Sequence, residues 1–224
     1  MKPSAVIPSL LVFGPQTELP TQEVLAELRQ ELIKNPRLSG LQDAVKNLPK
    51  FWLTLTDFDP SLSYVPGAKY LGDLQRWIVD GGAFPHHLGN TPNVYALPVT
   101  LILQITQYVR YLSRLGVKDP HRLVLEELQA GGIQGFCVGF LSAIAVSSSE
   151  SEAGIAAVAA VSLRLAVCIG AYVDQDGSFA EQPNQTACVA IRWRSDDVNE
   201  KEEVIDLIRT YPDVRLQGPP QIDT

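Results

Sequence analysis

Cysteine is scarce in this sequence: three in 224 residues, Cys137, Cys168 and Cys188. Three is too few and too odd for a disulfide framework, which favours a reducing compartment, and a cytoplasmic location is expected. Positive charge is in deficit too, with 18 basic against 25 acidic residues and a net charge of −7. That balance argues against a nucleic-acid partner. No window reaches the roughly 18 unbroken apolar residues that a membrane span asks for, and no membrane association is expected. The opening MKPSAVIPSLLVFG has one lysine and a short apolar run broken by two prolines, unlike a secretory signal. No repeat and no low-complexity block stands out. A 46% hydrophobic and 19% charged composition is that of a globular chain with enough material for a core.

Patterning gives alternating elements, hence an α/β chain. Val6 to Phe13 is a short apolar run ending at Gly14-Pro15 and reads as a buried strand. Val24, Leu25, Leu28, Leu32 and Ile33 recur at helical spacing after Thr21, until Asn35-Pro36 stops them. A second helical segment runs from Leu38 to Leu48. From Trp52 to Asn93 the sequence is rich in Pro, Gly, Asp and His, and reads as surface loops with one helical piece at Leu71 to Val79. Asn93 to Leu112 is apolar at a period near 3.6 and predicts a buried helix, with Pro98 in its first turn. Asp119-Pro120-His121 reads as loop before a short segment around Glu126 and Glu127. Small residues from Ala153 to Ala171 predict an interior helix, and Asp174 to Thr186 a polar linker. Beyond it, Ala187 to Trp193 reads as a strand, Glu200 to Tyr211 as a helix, and Val214 to Gln217 as a further strand.

One pentapeptide carries chemistry. Gly135-Phe136-Cys137-Val138-Gly139 is a G-x-C-x-G sequence, the pattern of a nucleophile elbow. In that motif a strand turns abruptly into a helix, and glycines two positions either side leave room for the strained central residue. The helix end and its exposed N–H groups favour a thiolate and stabilise an oxyanion. A buried structural cysteine in a Gly-rich turn is the competing reading. No Cys, His and Asp cluster has metal-ligand spacing, so no metal is expected.

The run GFCVGFLSAIAVSSS resembles the active-site segment of the starter unit:ACP transacylase domain of fungal non-reducing polyketide synthases. Three further stretches resemble that domain in the same order. VFGPQT at 12–17 is similar to its first strand and turn, and PNVYALPVTLILQITQYVRYL at 92–112 to its long helix. LRLAVCIGAYVDQ, with ACVAIRWRSDDVNEKEEVIDLIRTYPDVRLQG, is similar to the helix after the elbow and the start of its small subdomain. The resemblance implies an acyltransferase core of α/β-hydrolase-like type, with a mostly parallel sheet, over residues 1–180. It further implies a partial ferredoxin-like small subdomain over 187–224.

The same resemblance makes Cys137 the acyl-accepting nucleophile and places Gln16 beside the oxyanion hole. The oxyanion donors would be the Val138 N–H and one from the Gln16 turn, with Gly135 and Gly139 as structural partners of the elbow. The implied reaction takes a starter acyl group from acyl-CoA or a fatty acid synthase carrier. It then passes the group to the phosphopantetheine thiol of an acyl carrier protein, priming aromatic polyketide synthesis with no bound cofactor. Related malonyl transferases carry an arginine at a position that falls near Ile169, while Arg164 lies more than a turn earlier, which implies an uncharged acyl chain.

The family's catalytic histidine follows the small subdomain, yet His86, His87 and His121 all precede Cys137. With half of the small subdomain in hand, the chain reads as a truncated transacylase. The alternatives are a catalytically impaired remnant that binds acyl carrier protein or regulates a synthase, and a small cysteine hydrolase.

Overall fold

The computed structural model describes residues 10–15, 20–85, 91–128, 131–175 and 202. The chain divides into two units, Met1–Glu181 and Gln182–Thr224, and every described residue except Glu202 belongs to the first. The elements expected at 187–217, and the ferredoxin-like subdomain they would build, lie outside the described residues.

The described residues are predominantly helical. The sheet consists of two parallel strands, β1 (Leu11–Phe13) and β2 (Ile133–Gly135), in the register Leu11↔Ile133, Val12↔Gln134 and Phe13↔Gly135. A mostly parallel sheet was the expectation; among the described residues two three-residue strands form it, and helices supply the core.

Helix α1 (Gln22–Lys34) buries Leu25, Leu28 and Leu32 along one stripe, as its periodicity predicts. Asn35 ends it, and its side chain accepts the Arg37 N–H at 3.0 Å, starting a 3₁₀ turn that leads into α2 (Ser39–Lys46).

The stretch from Trp52 to Asn93 departs from its loop reading. Helix α3 (Leu48–Phe58), a 3₁₀ turn at Pro60–Tyr64 and helix α4 (Gly67–Asp80) occupy most of it, and Trp52, Leu62, Leu71, Leu74 and Trp77 are core residues. Its prolines and glycines punctuate short helices. Pro49 and Pro60 sit in first turns, where the missing N–H costs nothing, and Asp59 caps the 3₁₀ turn by accepting the Ser61 N–H at 3.1 Å. A side chain on Gly67 would collide with the Trp52 ring, so this glycine lets α4 start directly on the indole.

Helix α5 (Asn93–Leu115) runs through the centre and packs chiefly on α8 (Glu152–Val173). Pro98 falls in the second turn of α5 rather than the first, because the helix begins at Asn93. Small residues on α8, among them Ala159, Ala166 and Gly170, are buried and let α5 approach; at Gly170 a Cβ would overlap the Asn93 carbonyl. Asp174, just past α8, accepts the Asn93 and Val94 N–H groups at 2.9 and 2.8 Å, tying the end of α8 to the start of α5. Helix α8 is long and apolar enough to cross a membrane by length and composition, but Arg164 interrupts it and one face is packed on its neighbours.

Helix α6 (Pro120–Glu127) also corrects the sequence reading. Pro120 and His121 start it, with Asp119 as the cap, so they are not loop residues. Helix α7 (Gly139–Ser147) follows β2 and leads into α8.

Candidate active site

Residues 133–141 form a strand, a sharp turn and a helix. The Phe136 N–H donates to the Phe13 carbonyl at 2.9 Å, which continues the ladder one residue past β2. Cys137 then adopts φ +54°, and it is the one non-glycine residue with positive φ among the described residues. For a residue with a side chain this left-handed conformation costs roughly 1–2 kcal/mol, so its neighbours must impose it. The chain turns into α7 through three successive closures: Gly139 N–H to Phe136 O, Phe140 N–H to Cys137 O and Leu141 N–H to Val138 O, at 2.9, 3.0 and 3.0 Å.

Both flanking glycines are needed for close approach. A Cβ on Gly135 would lie 2.5 Å from the Gly139 carbonyl oxygen, and one on Gly139 would overlap the carbonyls of Phe13 and Gly14. The pentapeptide thus folds as its spacing predicts, between β2, α7 and the end of β1. The Cys137 side chain is exposed. Val138 is buried, and its N–H makes no hydrogen bond among the described residues.

The other expected site residues fall differently. Gln16 lies outside the described residues, as do His86, His87 and Cys188. His121 is fully buried, with Nδ1 2.9 Å from the Tyr108 hydroxyl and Nε2 2.8 Å from the Ser149 carbonyl. A carbonyl only accepts, so Nε2 carries the proton and Nδ1 accepts from Tyr108. Neither nitrogen is open to a thiol, and His121 is excluded as the base. Cys168 sits half-buried on α8, and burial pushes its thiol above the ordinary range. Among the described residues no three His, Cys, Asp or Glu side chains group so as to hold a metal ion.

Helix α8 passes behind the elbow at Ala166, which packs with Val138, Leu97 and Leu141. At 100° per residue, Ile169 lies about 60° from Ala166 around the helix, whereas Arg164 lies about 160° away. The elbow side of α8 therefore presents Ile169, 47% exposed, while Arg164 points elsewhere.

Gln104 is a site neighbour that patterning did not single out. Its Nε2 donates to the Gly14 carbonyl at 2.8 Å, and its Oε1 accepts the Ser142 hydroxyl at 2.7 Å, joining α5, α7 and the end of β1. The one available signal was an amide inside the apolar run of α5. Gln104 also lines a cavity of about 440 Å³ beside β1, together with Phe13, Gly14, Leu103, Tyr108 and Tyr111.

The turn thus presents an exposed cysteine, held in a strained conformation, between a strand and a helix. The chain belongs to the starter unit:ACP transacylase family: residues 73–206 match the model described as starter unit:ACP transacylase in aflatoxin biosynthesis. It is similar to non-reducing polyketide synthase subA of Metarhizium robertsii, 35% identical over 222 residues, covering 92% of this chain and 10% of that protein. It is likewise similar to non-reducing polyketide synthase esdpA of Penicillium shearii, 37% identical with 92% and 9% covered. A third relative is the 5-methylorsellinic acid synthase of Aspergillus terreus, 35% identical with 91% and 8% covered. The chain thus spans about a tenth of the length of these relatives. This places it among the acyltransferases of fungal polyketide biosynthesis.

Proposed function

We propose that the chain takes a starter acyl group onto Cys137 and hands it to the phosphopantetheine thiol of an acyl carrier protein. The donor is a thioester, either acyl-CoA or the carrier of a fatty acid synthase. In the loading step the Cys137 thiolate attacks the donor carbonyl, and the oxygen takes up the electron pair against the Val138 N–H. The pair then returns, the bond to the donor sulfur breaks, and the departing thiolate takes the proton that Cys137 gave up. The second half-reaction repeats these steps with the carrier thiol as nucleophile. The observation that carries this reading is Cys137 at φ +54° between β2 and α7, in a chain of this family.

The acyl chain is uncharged. Ile169 on the elbow side of α8, with Arg164 turned away, offers an apolar wall and no fixed partner for a carboxylate. Intact-protein mass spectrometry after incubation with hexanoyl-CoA tests the whole reading: the wild type gains one acyl mass, Cys137→Ala gains none, and Cys168→Ala behaves as wild type. Acyl mass on Cys137→Ala refutes the assignment, and free hexanoate released without a carrier points to a hydrolase.

A second reading is a catalytically impaired chain that binds acyl carrier protein. One observation favours it: both ring nitrogens of His121, the one histidine among the described residues, are committed to Tyr108 and Ser149 inside the core.

A further inference from the structure

We infer that Gln104 is a positioning residue for the acyl-transfer step, holding the elbow helix at a fixed place against the end of β1; the inference rests on Cys137 being the acyl acceptor. The amide has one arrangement that satisfies both neighbours. The Gly14 carbonyl only accepts, so the NH₂ faces it at 2.8 Å, and the Ser142 hydroxyl then donates to Oε1 at 2.7 Å. Ser142 is fully buried and stands five residues after Cys137, in the first turn of α7. Gly14 directly follows β1, the strand whose Phe13 carbonyl takes the N–H of Phe136.

Cys137 is held in a conformation its own backbone disfavours, so the contacts around the turn must keep it there. Two are backbone contacts: Phe136 with the Phe13 carbonyl, and the bare Cα of Gly139 against Phe13 and Gly14. Gln104 is the side chain that ties the same two partners together from a third element. Without it α7 can shift along β1, and the Val138 N–H moves with α7 away from the point where the oxyanion forms. A displacement of about 1 Å at a reacting centre costs on the order of 10²-fold in rate.

The test compares two reactions of one thiol. Acyl loading passes through an oxyanion, whereas alkylation by iodoacetamide is a direct displacement at carbon and does not. Gln104→Glu keeps shape and still accepts from Ser142 but cannot donate to Gly14; Gln104→Leu removes both bonds; Ser142→Ala leaves the Gly14 bond in place. In variants whose circular dichroism and melting match wild type, we expect both Gln104 substitutions to slow hexanoyl loading at saturating hexanoyl-CoA by on the order of 10- to 100-fold. The KM for hexanoyl-CoA and the rate of iodoacetamide alkylation should stay within about twofold of wild type, and Ser142→Ala should fall between. Unchanged loading in Gln104→Glu, or loading and alkylation falling together, overturns the inference. Hexanal separates this failure from that of the acyl-acceptor reading. It adds to a thiol as a hemithioacetal, with the thiol proton passing to the aldehyde oxygen, and needs the same donor without any acyl transfer. If the wild type does not load hexanoyl-CoA, the acyl-acceptor reading falls. The Gln104 inference is then decided by hexanal, whose binding at Cys137 should be about tenfold weaker in Gln104→Glu and overturns it if equal.

Discussion

The Phe136 N–H is held by the Phe13 carbonyl at 2.9 Å, and the very next residue, Cys137, stands at φ +54°. The sheet therefore grips the chain up to one bond before the strained residue, and α7 takes it up immediately afterwards. Cys137 has no freedom to relax without breaking one of these. Such a turn stores strain in the folded state, and strain of this kind can be measured by removing its cause.

Cys137→Gly should be more stable than Cys137→Ala. Both remove the thiol, but glycine adopts positive φ without a clash, whereas alanine keeps the Cβ. The expected difference is up to about 1 kcal/mol, which raises Tm by about 2–4 °C for a chain of this size. Equal melting of the two variants would show that the turn is unstrained.

The elbow was legible in the sequence because glycines two positions either side of a cysteine leave the room that a tight strand-to-helix turn requires. Helices α1, α5 and α8 were legible for a different reason: each carries a long apolar stripe that must be buried. The stretch from Trp52 to Asn93 misled because proline and glycine at a helix start look the same in sequence as in a loop. Gly67 against Trp52 is a tertiary fact that no local pattern contains. Gln104 stayed hidden for a related reason. One amide in an apolar helix shows that something polar is nearby, but not that it is the Gly14 carbonyl ninety residues away.

Gly139→Ala should damage fold and site together. The added methyl meets the Phe13 and Gly14 carbonyls, which are backbone and cannot rotate aside. Overpacking of this kind costs about 1–3 kcal/mol, so Tm should fall by several degrees and acyl loading should drop even in the folded fraction. Full loading by Gly139→Ala would show that β1 and the elbow can separate without consequence.

Thr106→Val should stabilise the chain. Thr106 is 1% exposed in the middle of α5, and its hydroxyl has no hydrogen-bond partner among the described residues. Burying an unsatisfied hydroxyl costs about 1–3 kcal/mol, and valine has nearly the same shape without it. A Tm increase of about 2 °C or more is expected. A decrease would mean that the hydroxyl finds a partner in solution.

Asp174→Asn should destabilise, and the gap should widen on acidification. The carboxylate takes both donors of Asn93 on one oxygen and the Val94 N–H on the other. An asparagine amide would turn an NH₂ toward one of these donors, at a cost of about 1–3 kcal/mol. Burial pushes the Asp174 carboxyl above its ordinary 3.8, so the folded state binds this proton more tightly than the unfolded one. At this site stability is gained as pH falls through the folded-state pKa, complete below the unfolded value, and asparagine has no such gain. Thermal melts of both proteins at neutral pH and at progressively lower pH should show wild type pulling ahead. A gap that narrows on acidification would contradict the sign.

The proton of Cys137 does not pass to His121. His121 is the one histidine among the described residues, and its two nitrogens are spent on Tyr108 and Ser149 inside the core. If it is structural, His121→Gln should lower Tm, because glutamine reproduces both bonds imperfectly, while acyl loading per folded molecule stays within about twofold of wild type. Loss of a true general base costs on the order of 10²–10⁴ in rate, well outside that range, so the two roles separate cleanly. A thiol with no histidine beside it among the described residues should respond to a small base in solution, so added imidazole should accelerate hexanoyl loading of the wild type in proportion to its neutral form. Cys137→Ala must stay unacylated throughout, which excludes acyl transfer to imidazole followed by nonspecific labelling. If imidazole has no effect and loading is already fast, a base is in place, and His86 and His87 become the residues to replace, since substitution of His121 would then distinguish nothing but stability.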